Sequence, residues 1–376
     1  VNQSYDSIEA LLDRFHAVIP AGGVGTRLWP LSRAGAPKFL HDLTGSGTTL
    51  IRSTYERLAP LSGTDVMVVT GEAHREAVVG QIPELGAEDL VLEPSPKDSA
   101  AAIGLAAAIL HRRDPEIIMG SFAADHVIAP VDDFREAVSE AVAAAAGGKI
   151  VTIGITPTHP STGFGYIRQG EKYHVPGAPN AHEVIEFVEK PDEDMAEKYV
   201  ASGNYVWNAG MFVAPVALML KHLAEAEPEL HAGLTEIAAA WGTEVQEETL
   251  QRVWPQLPKT AIDYAVAEPA AAAGDVAVIP GNFTWDDVGD FAAIARLNPA
   301  AQQESMTVLG PEPRVYSEDA SGVVVSETKR VVALIGVENI VVVDTEDALL
   351  VTTTDHAQSV KKAVEALKEK GDSDVL

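Results

Sequence analysis

The stretch His16 to Lys38, HAVIPAGGVGTRLWPLSRAGAPK, decides how this chain of 376 residues is read. Its opening, His16 to Pro20, is a short apolar run that predicts a strand, and three of the four residues 22–25 are glycine. Gly22, Gly23 and Gly25 let a backbone turn tightly enough to bring N–H groups against a phosphate. A dinucleotide fingerprint would need a further glycine where Leu28 stands, and a Walker loop would need Gly-Lys followed by Ser or Thr. Neither pattern fits. The loop offers instead two cations, Arg27 and Lys38, on a segment whose Pro30 and Pro37 restrict its wandering.

That island of positive charge contrasts with the rest of the chain, in which 27 Lys and Arg face 55 Asp and Glu for a formal charge of −28. So acidic a surface repels phosphate backbones and anionic lipid, and neither a nucleic acid nor a membrane partner is expected. An anionic substrate would need such a local cluster of Arg and Lys. A hydrophobic content of 46% is enough for a sizeable core. Cysteine is absent, which excludes disulfides, thiolate metal sites and cysteine nucleophiles. The longest nearly unbroken apolar run, Ala100 to Leu110, holds 11 residues, short of the roughly 20 of a membrane helix. Val1 to Phe15 has neither a basic flank nor an apolar core of the kind a leader needs, and cytoplasmic residence is the expectation.

Outward from the loop, from Phe15 to about Ile279, short apolar runs (FHAVIP, VMVVT, IIMGSFAAD, IVTIGI, VIEFVEK, MFVA, VAVI) alternate with longer stretches of helical period. This predicts an α/β fold of βαβ units around a mostly parallel mixed sheet. One of its helices is expected over Asp132 to Gly148, capped by Asp132 or Asp133 and stopped by Gly147-Gly148. After about Asn298 the texture changes to short strands (TVLG, GVVVSE, RVVALIG, NIVVVDT, ALLVTT) with turns at roughly ten-residue spacing. These predict a small β unit, a sandwich or a few coils of a β-solenoid, closed by a helix from about His356 to Lys370. The expected domains are residues 1–297 and 298–376.

The loop resembles the nucleotide-binding signature of the sugar-1-phosphate nucleotidyltransferases, and its WPLSR and PKF pieces look most like the mannose-1-phosphate guanylyltransferase branch. Further similar motifs follow in family order: EPSPKDSAAAIGLAA (93–107), AADH (123–126), STGFGYI (161–167), FVEKP (187–191), WNAGMF (207–212), AIDYAVAE (261–268) and FTWDDVG (283–289). GVENIVVVDTEDALLV (336–351) is similar to the family's C-terminal unit. The resemblance implies a Rossmann-like catalytic domain and an enzyme that uses GTP and mannose 1-phosphate. It also implies a homo-oligomer, with a dimer favoured.

In nucleotidyl transfer a sugar-phosphate oxygen attacks the α-phosphorus in line and pyrophosphate leaves, so the protein's task is positioning and charge stabilisation. The resemblance assigns Ala21, Gly22, Gly23, Gly25 and Thr26 to the nucleotide, Arg27 to the departing pyrophosphate and Lys38 to the reacting phosphates. Lys97, Asp98 and Ser99 lie near the expected base pocket. There this chain reads Lys97-Asp98-Ser99-Ala100-Ala101 where the branch usually reads Arg-Asn-Thr-Ala-Pro. Gly163, Glu189, Lys190 and Asn208 are assigned to the sugar phosphate. A hard cation, Mg²⁺ or Mn²⁺, needs only one or two carboxylates; Asp125, ending the strand IIMGSFAAD, and Asp287, the acid before Val-Gly, match the family's ligands. Other hexose phosphates, other bases and a non-catalytic sensor of nucleotide sugars stay open as alternatives.

Overall fold

The computed structural model describes residues 7–63, 65–297 and 306–376; Val1, Asn298 and the expected domain boundary at 297/298 fall outside or at the edge of these. Strands β1 (Phe15–Ala21), β2 (Val66–Gly71), β3 (Leu90–Glu93) and β4 (Ile118–Ser121) stand in the order β3-β2-β1-β4, all parallel. That is half of a doubly wound sheet, with the glycine loop leaving the carboxyl end of β1, where open α/β sheets place ligands. A short β5 (Val127–Ala129) follows, then β6 (Ile150–Ile155), β7 (Gly165–Lys172), β8 (His182–Val188), β9 (Tyr205–Pro215) and β10 (Val276–Gly281).

The sheet continues β4-β9-β6-β10-β8-β7, and β9 pairs with β7 as well, closing that end on itself. β8 and β9 run against their neighbours, so antiparallel ladders are more frequent than the predicted mostly parallel sheet implies. The reason is local. No helix lies between β7 and β8, and an antiparallel pair needs no crossover connection.

The apolar run Ala100–Leu110 lies within the helix Ser99–Arg113 and is buried all round, as a helix without a polar face should be. Among the described residues no helix is long and apolar enough to cross a membrane. The helix expected over Asp132–Gly148 spans Val131–Ala146. Pro130 holds its N-cap position, so Asp132 and Asp133 sit in the first turn, where they suit the helix dipole without capping it.

In the larger unit β11 (Thr284–Asp286) crosses back to pair with β5, and the C-terminal unit comprises β12 (Met306–Leu309), β13 (Arg314–Glu318), β14 (Gly322–Ser326), β15 (Val331–Ile335), β16 (Ile340–Asp344) and β17 (Leu349–Thr353). β12, β14 and β16 are parallel, with β17 antiparallel at the edge; β13 and β15 form a second parallel layer. β13 is absent from the sequence expectation because RVYSE is largely exposed and carries no apolar run. The apolar positions split by strand alternation. Val324 and Val342 face the second layer, whereas Val323, Val325, Val341 and Val343 pack on Leu28, Leu31, Leu43, Val288 and Phe291 of the larger unit.

The closing helix begins as a 3₁₀ segment, Thr354–Ser359, and is α-helical over Val360–Lys370. Its buried Val360 and Val364 pack on the Trp29 indole of the glycine loop, and Trp29 Nε1 donates to the Val375 carbonyl at 2.7 Å. Arg33 reaches from the same loop to Asp347 at 2.7 Å and to Thr345 Oγ1 at 3.1 Å, between β16 and β17. The C-terminal unit thus holds the glycine loop within one chain. Trp29→Ala should destabilise the protein by about 3–5 kcal/mol, the usual loss for a buried large aromatic. Trp29→Phe, which keeps an aromatic ring but loses the N–H and part of the indole's volume, should cost less, about 1–3 kcal/mol. Urea unfolding of the two variants checks both values, and equal losses would show that ring packing on the helix contributes nothing.

Candidate active site

β1 ends at Ala21, whose carbonyl accepts from Thr70 Oγ1 at 2.8 Å, and the chain then leaves the sheet through the exposed Gly22 and Gly23. Gly25 is left-handed (φ 76°), and a Cβ there would lie 2.9 Å from Lys38 Cβ, so only glycine lets Lys38 pass against the loop. The 3₁₀ turn Thr26–Leu28 buries Leu28 and leaves Arg27 exposed. Arg27 lines a cleft of about 1020 Å³ together with Gly163, Lys190, Trp285, Asp287 and Gln358.

The two acidic motifs meet because β5 and β11 form an antiparallel ribbon that pairs Trp285 with Ile128 and Asp286 with Val127. His126 fastens the ribbon: its Nδ1 accepts from Trp285 Nε1 at 3.1 Å, and the rings meet edge to face. Burial holds His126 down at about 4 against the opposing pull of Asp125, so it is neutral.

Beneath the cleft Lys38, 9% exposed, joins both motifs. Its Nζ lies 2.7 Å from Asp125 Oδ2 and donates to the Asp287 carbonyl at 2.6 Å. With these partners the Lys38 ammonium is the counterion of Asp125 and ties down the backbone that carries Asp287. Burial pushes Asp125 up, but the Lys38 ammonium outweighs it, and the carboxyl sits below its ordinary value. Asp287 is raised, first by burial, with Lys38 opposing and Asp286 and Asp125 adding to the rise.

The turn that presents Asp287 is strained. Val288 is β-branched, fully buried and at φ 47°, a region such residues rarely occupy. Three contacts hold it there: its N–H donates to Asp286 Oδ1 at 2.8 Å, its carbonyl lies 3.4 Å from Lys38 Nζ, and its side chain packs with Val323 and Val341. Gln358 Nε2 of the C-terminal unit donates to Asp290 Oδ2 beyond the turn.

Among the described residues no group of three or more His, Cys, Asp or Glu is placed to hold an ion. The two expected metal carboxylates lie near enough for the charge of Asp125 to act on Asp287. Two hard oxygens fit Mg²⁺ or Mn²⁺, which keep waters and substrate oxygens as their remaining ligands.

On the opposite side of the cleft Glu189 and Lys190 form a pair just past the end of a strand. β8 ends at Val188, Lys190 turns left-handed (φ 46°), and the two side chains pair at 3.0 Å. Glu189 Oε2 is buried without a partner, above Gly165, where a Cβ would come within 2.4 Å of it. Its carboxyl is raised by burial and by Asp263. Asn208 accepts from Thr152 Oγ1 at 3.2 Å and the Gly210 N–H at 3.1 Å, and donates to Asp263 Oδ1 at 2.8 Å. Most of its capacity is spent on the protein. Asp263, at the start of a π-helical turn, is the residue that sequence reasoning missed; a lone Asp in AIDYAVAE carries no signal until folding sets it beside Asn208 and Lys190.

The segment 97–99 is not in the wall of this cleft. Lys97 Nζ donates to the carbonyls of Pro255 and Leu257, both at 2.8 Å, and Ser99 Oγ accepts from the Ile262 N–H at 2.9 Å. Asp98 (φ 72°) caps the helix that follows, accepting from the Ser99 N–H at 2.7 Å. Lys97 and Ser99 therefore brace the neighbouring segment.

Residues 16–304 match the family described as Nucleotidyl transferase, and residues 314–367 match the MannoseP isomerase/GMP-like beta-helix domain. The chain is similar to mannose-1-phosphate guanylyltransferases of Klebsiella pneumoniae (37% identical over 94% of this chain and 74% of that protein) and Escherichia coli K12 (36%, over 95% and 74%). A solved Thermus thermophilus protein, described as a mannose-1-phosphate geranyltransferase, superposes with a TM-score of 0.82 at 33% identity. It covers 94% of this chain and 99% of its own.

Proposed function

The chain belongs to the nucleotidyl transferase family, and from that membership we propose that it transfers a guanylyl group from GTP to α-D-mannose 1-phosphate, giving GDP-mannose and pyrophosphate. One observation carries the reading: cations and carboxylates from four separate motifs, Arg27, Asp287, Lys190 and the Lys38–Asp125 pair, converge on a single cleft and its floor. In-line displacement at phosphorus asks for this arrangement, since the protein has to align two anions and absorb charge.

Arg27, exposed on its 3₁₀ turn, takes the pyrophosphate side with a forked donor, and the N–H groups of the glycine loop cradle the phosphates. Lys190 and the unpartnered Glu189 oxygen serve the sugar, the ammonium for its phosphate and the carboxylate for a hydroxyl. Asp125 and Asp287 would hold a divalent cation, which supplies charge compensation to the phosphoryl oxygens when bound. Lys38 keeps both acids in place from below.

The wider organisation is part of the same reading. Two domains divide near residue 297, supported by the two family matches, and the in-register parallel ladders of β12, β14 and β16 support a short β-solenoid. A homodimer in the cytoplasm is the assembly we favour, supported by the exposed Tyr316, Val331, Ile335, Leu349 and Val351 of the C-terminal unit. Light scattering checks the dimer. Incubation with Mg²⁺, each common nucleoside triphosphate and a panel of sugar 1-phosphates, with pyrophosphate release as readout, tests the reaction. Fastest release with GTP and mannose 1-phosphate is expected; a different preferred pair moves the assignment to another hexose or base, and binding without release makes the protein a sensor.

A further inference from the structure

We propose that Arg57 is a positioning residue for Asp125: Arg57 and Thr54, neighbours one turn apart on the helix Leu50–Ser62, grip the peptide carbonyls on either side of that acid and fix where its carboxylate is presented. The inference rests on the nucleotidyl-transfer reading and adds a residue that lies in none of the motifs around the cleft.

Ala124 and Asp125 form a turn between β4 and β5, outside any ladder that would fix their backbone. The Ala124 N–H donates to the Pro20 carbonyl near the end of β1 at 3.2 Å. The Ala124 carbonyl accepts from Thr54 Oγ1 at 3.3 Å, and the His126 carbonyl accepts from Arg57 Nη2, also at 3.3 Å. The same Nη2 donates to Thr54 Oγ1 at 3.0 Å, which leaves the hydroxyl hydrogen for Ala124. Both neighbours of Asp125 are therefore held by one connected set of donors on a single helix, and linked hydrogen bonds strengthen one another.

Packing alone does not account for a guanidinium at this place. Arg57 is 6% exposed, its Nε has no hydrogen-bond partner, and among the described residues no carboxylate pairs with it. The guanidinium lies 5.4 Å from the ring centroid of Phe134, which itself meets Phe122 and Phe283 edge to face. A second cation is close by. Arg135 donates to the carbonyls of Arg57 and Glu56, both at 3.1 Å, and the latter lacks its helical donor because Pro60 has no N–H. Burial, and after it Arg135, bring the Arg57 guanidinium down to about 10, so it stays charged at neutral pH against both effects. An unpaired charge in such a setting costs free energy that a methionine of similar length would avoid. What methionine cannot do is donate to a hydroxyl and a carbonyl at once.

Arg57→Met separates positioning from stability. Its urea midpoint should equal or exceed that of the wild type, since an unpaired buried charge is removed. Amide hydrogen exchange should nevertheless be faster by about tenfold or more over residues 124–129 and unchanged over β1. Turnover at saturating substrate should fall by about ten- to a hundredfold, the usual result of a small misplacement, with more Mg²⁺ needed for the half-maximal rate. Thr54→Val, which removes the hydroxyl and keeps the shape, should move exchange and turnover in the same direction by a smaller factor. Exchange over 124–129 no faster than in the wild type overturns the proposal. So does acceleration spread equally over β1, which is what a merely structural Arg57 would give, and so does normal turnover with a loosened segment. Should Arg57→Met fail to fold, Thr54→Val decides by the same criteria. If wild-type protein releases no pyrophosphate from any triphosphate, the reaction assignment has failed instead, and the exchange comparison still judges Arg57.

Discussion

Asp287→Asn should lower turnover by about 10²-fold or more, and Asp125→Asn by a similar factor, while Asp286→Asn should lose far less. Removing a major electrostatic stabiliser has a cost of this size. Their contacts separate the two neighbouring acids. Asp286 is committed to the turn, with Oδ1 accepting from the Val288 N–H at 2.8 Å and Oδ2 lying 3.4 Å from Arg296. An asparagine can keep the first contact. Both acids line the cleft, but Asp287 shares the field of Asp125 and its carboxylate has no side-chain hydrogen-bond partner among the described residues, so its charge is the one a bound cation would meet. Pyrophosphate release at saturating substrate, repeated over a Mg²⁺ titration, checks the ranking. Near-normal turnover in Asp287→Asn with collapse in Asp286→Asn would show that the ligand is the other acid.

Lys38→Met should be nearly as damaging to turnover and more damaging to stability. Its ammonium is the partner of Asp125 at 2.7 Å, with side-chain exposures of 11% and 25%, and it also ties down the Asp287 and Val288 carbonyls. Removing one partner of a buried pair typically costs about 3–5 kcal/mol, because the remaining charge is left uncompensated. Asp125→Asn in the same chain should therefore recover part of the loss in stability, though none of the activity. A double-mutant cycle by urea unfolding would then give a coupling of about 0.5–3 kcal/mol. Strictly additive penalties would mean that the pair contributes nothing beyond its separate contacts.

The glycine loop, the strand before it and the alternation of strand and helix were legible because they are local: periodicity, glycine content and run length act within a few residues. So were the short strands after residue 306, apart from β13, whose polar, exposed sequence lacks the pattern that burial imposes. Glu189 and Lys190 were visible in the sequence, but their mutual contact was not, since the end of the strand at Val188 depends on pairing with β7 and not on FVEKP itself. Arg57 belonged to no motif. That its guanidinium is buried against residues 124–126 appears once the helix Leu50–Ser62 is packed beside them.

By itself, then, the sequence determined the class of fold, the position of the glycine loop, the absence of thiol chemistry and the identity of most charged groups in the cleft. Tertiary structure alone decided which of those groups are free. It placed Lys38 under two acids instead of in the cleft, spent Lys97 and Ser99 on the segment 255–262, brought Asp263 to Asn208, and put the C-terminal unit behind the glycine loop through Trp29 and Arg33. The physical reason is that a residue type specifies which donors, acceptors and charges exist, whereas long-range packing specifies which of them are already satisfied. Only an unsatisfied group has free energy left to give to a ligand.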